Sequence, residues 1–278
     1  MDLLSPTDID ALLSAQGLRA SRALGQNFLA DANTARKIAR LAGIGPGDRV
    51  VEIGPGIGSL TLALVETGAR VLAVERDRHV VPVLRDVLAS RSVGPDAVEV
   101  VEGDAMELAW ENVLEGDGWV CVSNLPYNIA TPLLAGLLET VRQIDRFLVM
   151  IQREVGERLT AAPGTRAAGG ISVKVAYYTE ASVVARVPAT VFVPRPRVES
   201  VLVRLDRRAA PPVDVPSPAR LFEVVRAGFG QRRKTLRRAL AAHIADPERA
   251  LAEAGIDPRS RAEQLTLDEW ASLARVVG

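Results

Sequence analysis

Residues 49–75 read RVVEIGPGIGSLTLALVETGARVLAVE, and the reading of this stretch decides the fold. Arg49 to Ile53 is a short, β-branched run suited to a strand, and Arg70 to Glu75 is a second one. Between them Ser59 to Thr67 carries the apolar spacing of a helix, entered through Gly54-Pro55-Gly56-Ile57-Gly58. Strand, Gly-rich turn, helix and strand make a βαβ unit, whose two strands run parallel in one sheet.

The same alternation continues outward. Upstream, Ser5 to Ala15 reads as a helix, Gly17 to Asn27 as a polar, flexible stretch, and Asp31 to Leu41 as a helix capped by Asp31 and stopped at Gly43-Ile44-Gly45-Pro46-Gly47. Downstream, helices at His79–Ser90 and Thr131–Thr140 alternate with strands at Val98–Val101, Trp119–Ser123 and Arg146–Ile151. Continuous Val/Ile/Leu runs in several strands predict a parallel sheet covered on both faces. Two further β-rich runs, Ala181 to Phe192 and Glu199 to Leu205, flank Pro194-Arg195-Pro196 and are expected to pair antiparallel at the sheet's edge. Pro211, Pro212, Pro216 and Pro218 then end the β pattern, so Arg207 to Pro218 reads as a linker. Residues 219–278 are helical in pattern throughout. The expected architecture is an N-terminal segment over 1–30, an α/β domain over 31–208 and a small helical domain over 219–278.

The 278 residues are ample for such a core, and 48% hydrophobic with 24% charged residues is a soluble globular balance. The formal net charge is zero, so attraction to a nucleic acid must come from local clustering. The lone cysteine, Cys121, sits among apolar neighbours and reads as a buried structural thiol; it rules out an internal disulfide and a cysteine-rich zinc site. The first residues lack a basic n-region and an apolar block, and no stretch has the roughly 18 uninterrupted apolar residues of a membrane span. A cytoplasmic, metal-free monomer that avoids membranes is the expectation.

Gly54 and Gly56 allow a tight turn and a close approach of ligand to backbone. Glu75 ends the second strand, where a carboxylate can accept from both ribose hydroxyls, and Asp104 ends the third, within reach of an adenine amino group. The loop lacks the Gly-x-Gly-x-x-Gly spacing of dinucleotide sites, and Pro55 removes an amide that a pyrophosphate would use. An adenosine-bearing cofactor without phosphates, such as S-adenosyl-L-methionine, suits it better. A nucleotide cofactor and a bare strand-to-helix turn are the other readings.

Strand ends in such a sheet converge on one crevice, so Asn124-Leu125-Pro126-Tyr127 should share the pocket of Gly54, Glu75 and Asp104. The Asn124 side-chain carbonyl and the Leu125 backbone carbonyl can accept both protons of an exocyclic amine, turning its lone pair toward a methyl donor. Tyr127 offers a stacking face. An aryl amine is a poor nucleophile through conjugation, so positioning and polarisation are the chemistry needed. Only His79 and His243 are present as histidines, and no imidazole base is required.

From about Ser21 onward the chain resembles the ribosomal RNA adenine dimethyltransferases of the KsgA type. The resemblance rests on Leu24-Gly25-Gln26-Asn27-Phe28-Leu29, Glu52-Ile53-Gly54-Pro55-Gly56, Asn124-Leu125-Pro126-Tyr127-Asn128-Ile129, Pro194-Arg195-Pro196-Arg197-Val198-Glu199-Ser200 and Gly230-Gln231-Arg232-Arg233-Lys234-Thr235-Leu236, in that order. It implies a Rossmann-like, S-adenosylmethionine-dependent methyltransferase sheet and dimethylation of two adjacent adenosines in a loop near the 3′ end of small-subunit rRNA, within a 30S precursor. It implies that Gln26, Asn27 and Leu29 contact the cofactor near its methionine part, with Gly54, Gly56 and Asn124 beside them. Glu75 would bind the ribose, and Asp104 with Ala105 the adenine. Asn124, Leu125 and Tyr127 would receive the target adenine, with Phe192 stacked on its other face. The family usually has Phe where Leu24 stands, a departure that leaves these contacts intact.

Leu221 to Leu240 holds Arg226, Arg232, Arg233, Lys234, Arg237 and Arg238 against one acid, Glu223. A solvated helix face is the bland reading, but six positive charges in a segment without catalytic residues suit an RNA backbone. Arg232, Arg233, Lys234 and Arg237 are the RNA-contact candidates, with the loop Thr160 to Arg166 as a second contact. Rival readings are a macrolide-resistance-type enzyme acting on large-subunit rRNA, and a noncatalytic assembly factor. Asn128 to Pro132 and the Gln231 to Thr235 segment favour the small-subunit enzyme, and the presence of both Glu75 and the Asn124 motif speaks against the assembly factor.

Overall fold

The computed structural model of the protein describes residues 2–17, 27–231 and 233–278. In chain order its elements are α1 (Pro6–Ala15), β1 (Phe28–Leu29), α2 (Ala32–Ala42), β2 (Arg49–Ile53), α3 (Ser59–Val65), β3 (Arg70–Glu75), α4 (Val80–Ser90), β4 (Val98–Glu102), β5 (Trp119–Asn124), α5 (Ala130–Thr140) and β6 (Ile144–Gln152). They continue with α6 (Arg153–Leu159), α7 (Gly170–Tyr178), β7 (Thr179–Val187), β8 (Phe192–Val193), β9 (Ser200–Arg207), α8 (Pro218–Gly230), α9 (Leu236–Leu240), α10 (Pro247–Glu253) and α11 (Leu267–Val276). The termini follow local chemistry. Ser5 and Asp8 form a capping box on α1, and the Asp31 carboxylate accepts the Thr34 amide at 2.5 Å to start α2. Gly43, at φ 61°, ends α2 in the left-handed region.

A seven-stranded sheet runs in the order β4-β3-β2-β5-β6-β9-β7. The pairs from β4 to β6 are parallel, whereas β9 lies antiparallel to β6. The chain winds one way from β2 to β4 and the other from β5 to β6. The switch falls between β2 and β5, and a crevice opens beyond the strand ends at such a point. A continuous core of aliphatic side chains from α2, α3, α4 and the sheet, including Ile38, Leu62, Leu84, Val122 and Leu148, holds this frame.

The Ala181 to Phe192 run departs from expectation. The β7 strand stops at Val187, Pro188 and a 3-10 turn follow, and Phe192–Val193 leaves the main sheet. Proline has no N–H for the ladder, so the strand cannot continue through it. Phe192 and Val193 pair instead with Leu29 and Phe28 in a separate two-stranded sheet.

Two compact units result, Met1–Gly156 with Ser182–Asp206, and Glu157–Ala181 with Arg207–Gly278. Residues 157–181, placed by the sequence within 31–208, join the C-terminal helices. The reason is aromatic packing: Tyr177 and Tyr178 of α7 lie 5.4 and 5.6 Å from the Phe222 ring of α8. Within this helical unit Trp270 is fully buried, and a Cβ on Gly228 would stand 2.5 Å from its ring and 3.2 Å from Leu236. Alanine gains about 1 kcal/mol of helix propensity over glycine, while overpacking a filled core costs about 1–3 kcal/mol. The clash with a rigid indole wins, so Gly228→Ala should lower the urea midpoint of this unit, followed by Trp fluorescence; an unchanged or raised midpoint would refute it.

Candidate active site

The crevice beyond β2, β3, β4 and β5 holds a cavity lined by Asn27, Phe28 and Leu29, by Gly54 and Gly56, by Glu75, by Asp104 and Ala105, and by Asn124, Leu125 and Tyr127. The loop after β2 takes its shape from its glycines, with φ of 71° at Gly54 and 57° at Gly56. Gly54 abuts the Pro126 ring, 3.5 Å from where a Cβ would be, and a Cβ on Gly56 would strike the Phe28 ring at 2.9 Å. Gly54 is therefore fixed by its conformation, since 3.5 Å is an ordinary contact distance, and Gly56 by approach as well as by conformation.

Glu75 fastens this loop to β3. Its two carboxylate oxygens accept the Gly56 amide at 3.0 Å and the Asp77 amide at 2.8 Å. Burial pushes its carboxyl above the ordinary range, against the pull of those amides. Each oxygen keeps a lone pair for a ligand hydroxyl. Asp104 accepts the Met106 amide at 2.9 Å and pairs with Arg76 at 3.1 Å. The Arg76 side chain is 64% exposed, so this ion pair is weak and yields to a ligand amino group at little cost.

Asn124 ends β5 with its side chain held. Its Nδ2 donates to the Asn27 backbone carbonyl at 3.0 Å, which assigns the amide orientation and leaves Oδ1 as the acceptor. The Leu125 amide donates to the Met150 carbonyl of β6 at 3.1 Å, and the Tyr127 hydroxyl shares a 2.8 Å hydrogen bond with Ser200 of β9. The turn after β5 is thus pinned at three points before any ligand enters. Burial raises the Tyr127 phenol above its usual value, so it stays neutral.

Two residues were absent from the sequence-derived set. Glu52 lies 1% exposed on β2, accepts the Thr61 hydroxyl at 2.6 Å and lines the cavity. Burial, reinforced by the Glu75 charge, pushes its carboxyl up to about 8 despite the Thr61 bond. Ser59, at the start of α3, also lines the cavity, and its buried hydroxyl has no hydrogen-bond partner among the described residues. The Cys121 thiol, buried behind them, is pushed up to about 12 and is inert at neutral pH. Among the described residues no His, Cys, Asp and Glu group is arranged to hold a metal.

Residues 17–277 match the family model described as Ribosomal RNA adenine dimethylase. The chain belongs to the ribosomal RNA adenine dimethylase family. The expected resemblance and fold class are borne out. Ribosomal RNA small subunit methyltransferase A of Moorella thermoacetica is 45% identical over 96% of each chain. Its namesake in Bacillus mycoides is 42% identical over 99% of this chain and 97% of that one. Among solved structures, the 23S rRNA methyltransferase ErmE is 25% identical, with a TM-score of 0.66 over 90% of this chain and 99% of that one. A dimethyladenosine transferase from Plasmodium falciparum shares the fold, with a TM-score of 0.72 at 23% identity over 88% of this chain and 95% of that one.

The family's site residues fall unevenly. Asn27, Leu29, Gly54, Gly56, Glu75, Asp104, Ala105, Asn124, Leu125 and Tyr127 share the cavity; Gln26 lies outside the described residues. Phe192 does not line the cavity. It is 3% exposed and sits opposite Leu29 in the two-stranded ladder, with its ring in the aliphatic core, so it offers no free face to a base. Arg233, Lys234 and Arg237 are exposed in the helical unit, Arg237 bonded to Glu248 at 3.0 Å; Arg232 lies outside the described residues. Nearby, a groove is lined by Ala227, Gly230 and Ala239 together with Glu223, Arg226, Gln231 and His243.

Proposed function

We propose that this protein transfers methyl groups from S-adenosyl-L-methionine to the 6-amino groups of two adjacent adenosines near the 3′ end of small-subunit rRNA, acting in the cytoplasm as a monomer on a 30S precursor. The observation that carries this reading is the convergence of Glu75, Asp104 and the Asn124–Tyr127 turn on one cavity. The small-subunit substrate is supported by the names of relatives at 45% and 42% identity, against 25% for the large-subunit enzyme.

The residues present fit the cofactor. Glu75 and Asp104 are acceptors for ribose hydroxyls and an adenine amine, and Ser59, whose hydroxyl has no partner among the described residues, lines the same cavity. When bound, S-adenosylmethionine supplies a methyl group activated by a sulfonium. Asn27, Leu29, Gly54, Gly56 and Ala105 would shape its seat. For the target base, Asn124 Oδ1 and the Leu125 carbonyl accept the two amine protons, and Tyr127, held by Ser200, stacks on the ring. The base must leave its own stack, and an aromatic platform offsets that by roughly 1–3 kcal/mol. No base acts before attack; the surplus proton becomes acidic once the amine is alkylated. Arg233, Lys234, Arg237 and Arg226 would neutralise rRNA phosphates through the helical domain.

The deciding experiment is incubation with labelled S-adenosylmethionine and small subunits lacking the modification, followed by nucleoside mass analysis. Dimethylated adenosines in the small-subunit rRNA are expected. Label confined to large-subunit rRNA would overturn the substrate, and subunit binding without transfer would favour an assembly factor.

A further inference from the structure

The cavity floor carries an acid that the methyl-transfer chemistry does not use. Glu52 is fully enclosed yet lines the cavity, and its neighbours do not balance a charge. Among the described residues the titratable groups that face it are Glu75 from β3 and Cys121 from β5, both acidic, and α3 contributes the Thr61 hydroxyl. A buried carboxylate with no cation is costly, so in the free protein Glu52 keeps its proton. The Ser59 hydroxyl, buried and without a partner among the described residues, leaves hydrogen-bonding capacity in the lining of the same cavity.

We infer that Glu52 is a specificity-determining residue that ionises when the methyl donor binds, so that the site prefers the cationic donor over its spent product. The inference rests on the S-adenosylmethionine reading above. The two ligands share an ammonium and a carboxylate and differ by one positive charge at sulfur, a sulfonium in the donor and a thioether in the product. A positive charge entering a water-poor cavity stabilises the ionised form of any acid lining it. Donor binding then expels the Glu52 proton. The product, lacking the sulfur charge, expels less and meets a neutral floor. Methyl transfer therefore removes part of what holds the ligand, which favours release of the spent cofactor between the successive methylations. With the free carboxyl at about 8, linkage sets the sign: donor affinity is full above that pH and falls below it, by about tenfold between pH 9 and pH 7.

The test is calorimetry of the intact protein with S-adenosylmethionine and with S-adenosylhomocysteine, in buffers of different ionisation enthalpy, from pH 6.5 to 9. Release of most of a proton per donor at neutral pH, falling as the pH rises through the free carboxyl's value of about 8, is expected from that linkage, with a clearly smaller release for the product. Glu52→Gln should abolish the difference, and titrations of the ligands themselves are common to both proteins and cancel in the comparison. If that variant fails to fold, Glu52→Asp takes its place in the same comparison, and a pH course identical to the wild type's would equally count against Glu52. Donor binding without proton release, or equal release with both ligands, would overturn the inference while leaving the function intact. Failure of S-adenosylmethionine to bind at all would instead sink the proposed function.

Discussion

Asn124→Ala is expected to reduce methyl transfer about a hundredfold to ten-thousandfold while leaving cofactor affinity within a few-fold of the wild type, the range set by loss of an oriented polar contact to the reacting group. The asymmetry follows from how the side chain is held. Its Nδ2 is engaged with the Asn27 carbonyl, so Oδ1 is the atom offered to the substrate. Truncation removes the acceptor proposed for the reacting amine outright. It also loosens the segment at Asn27, which lines the cofactor cavity, and this accounts for the small expected cost in cofactor binding. Asn124→Asp sharpens the argument. The carboxylate still accepts, but one of its oxygens must now face the Asn27 carbonyl in place of a donor, so the side chain is repelled from its seat and the variant should also be slow. Single-turnover methylation of small subunits, with cofactor affinity measured in parallel, separates the effects. A cofactor loss as large as the loss in rate would show that Asn124 supports the cofactor and not the amine.

The βαβ unit and the convergence of Gly54, Glu75, Asp104 and Asn124 were legible in residues 49–124 because both rest on local signals: β-branched runs, glycines at turns, and acids at strand ends. Long-range contacts were not legible. Phe192 reads as part of a β-rich run, and only Pro188 hints at the break. Its pairing with Leu29, across more than 160 residues of sequence, is a tertiary choice that seats the ring in the core. Residues 157–181 likewise owe their place to Tyr177 and Tyr178 meeting Phe222. Glu52 was hidden for a different reason. A glutamate in a strand reads as an ordinary polar interruption until burial on both sides is known, and burial is what turns it into a titrating group.

Glu75→Ala should show the converse of Asn124→Ala, with cofactor affinity falling about a hundredfold or more and turnover at saturating cofactor nearly unchanged. Two hydrogen bonds from a carboxylate to ribose hydroxyls, at about 1.5–3 kcal/mol each, set the scale. In the proposed pose the ribose would lie away from the reacting methyl and be held alike in ground and transition states, so its contacts would govern binding and not the chemical step. The variant also releases the Gly56 and Asp77 amides, which loosens the loop that seats the cofactor and adds to the loss. Glu75→Gln is not a benign substitute. Its NH2 would confront one of those two backbone donors, so a smaller but definite loss is expected. A second consequence ties Glu75 to the cavity floor. Its charge is one of the two causes that hold the Glu52 carboxyl up, burial being the larger. Glu75→Ala should therefore move the pH course of donor-linked proton release to lower pH. Calorimetry on this variant reads both effects. An unchanged affinity would remove Glu75 from the ribose site, and an unshifted pH course would show that the two acids do not sense each other.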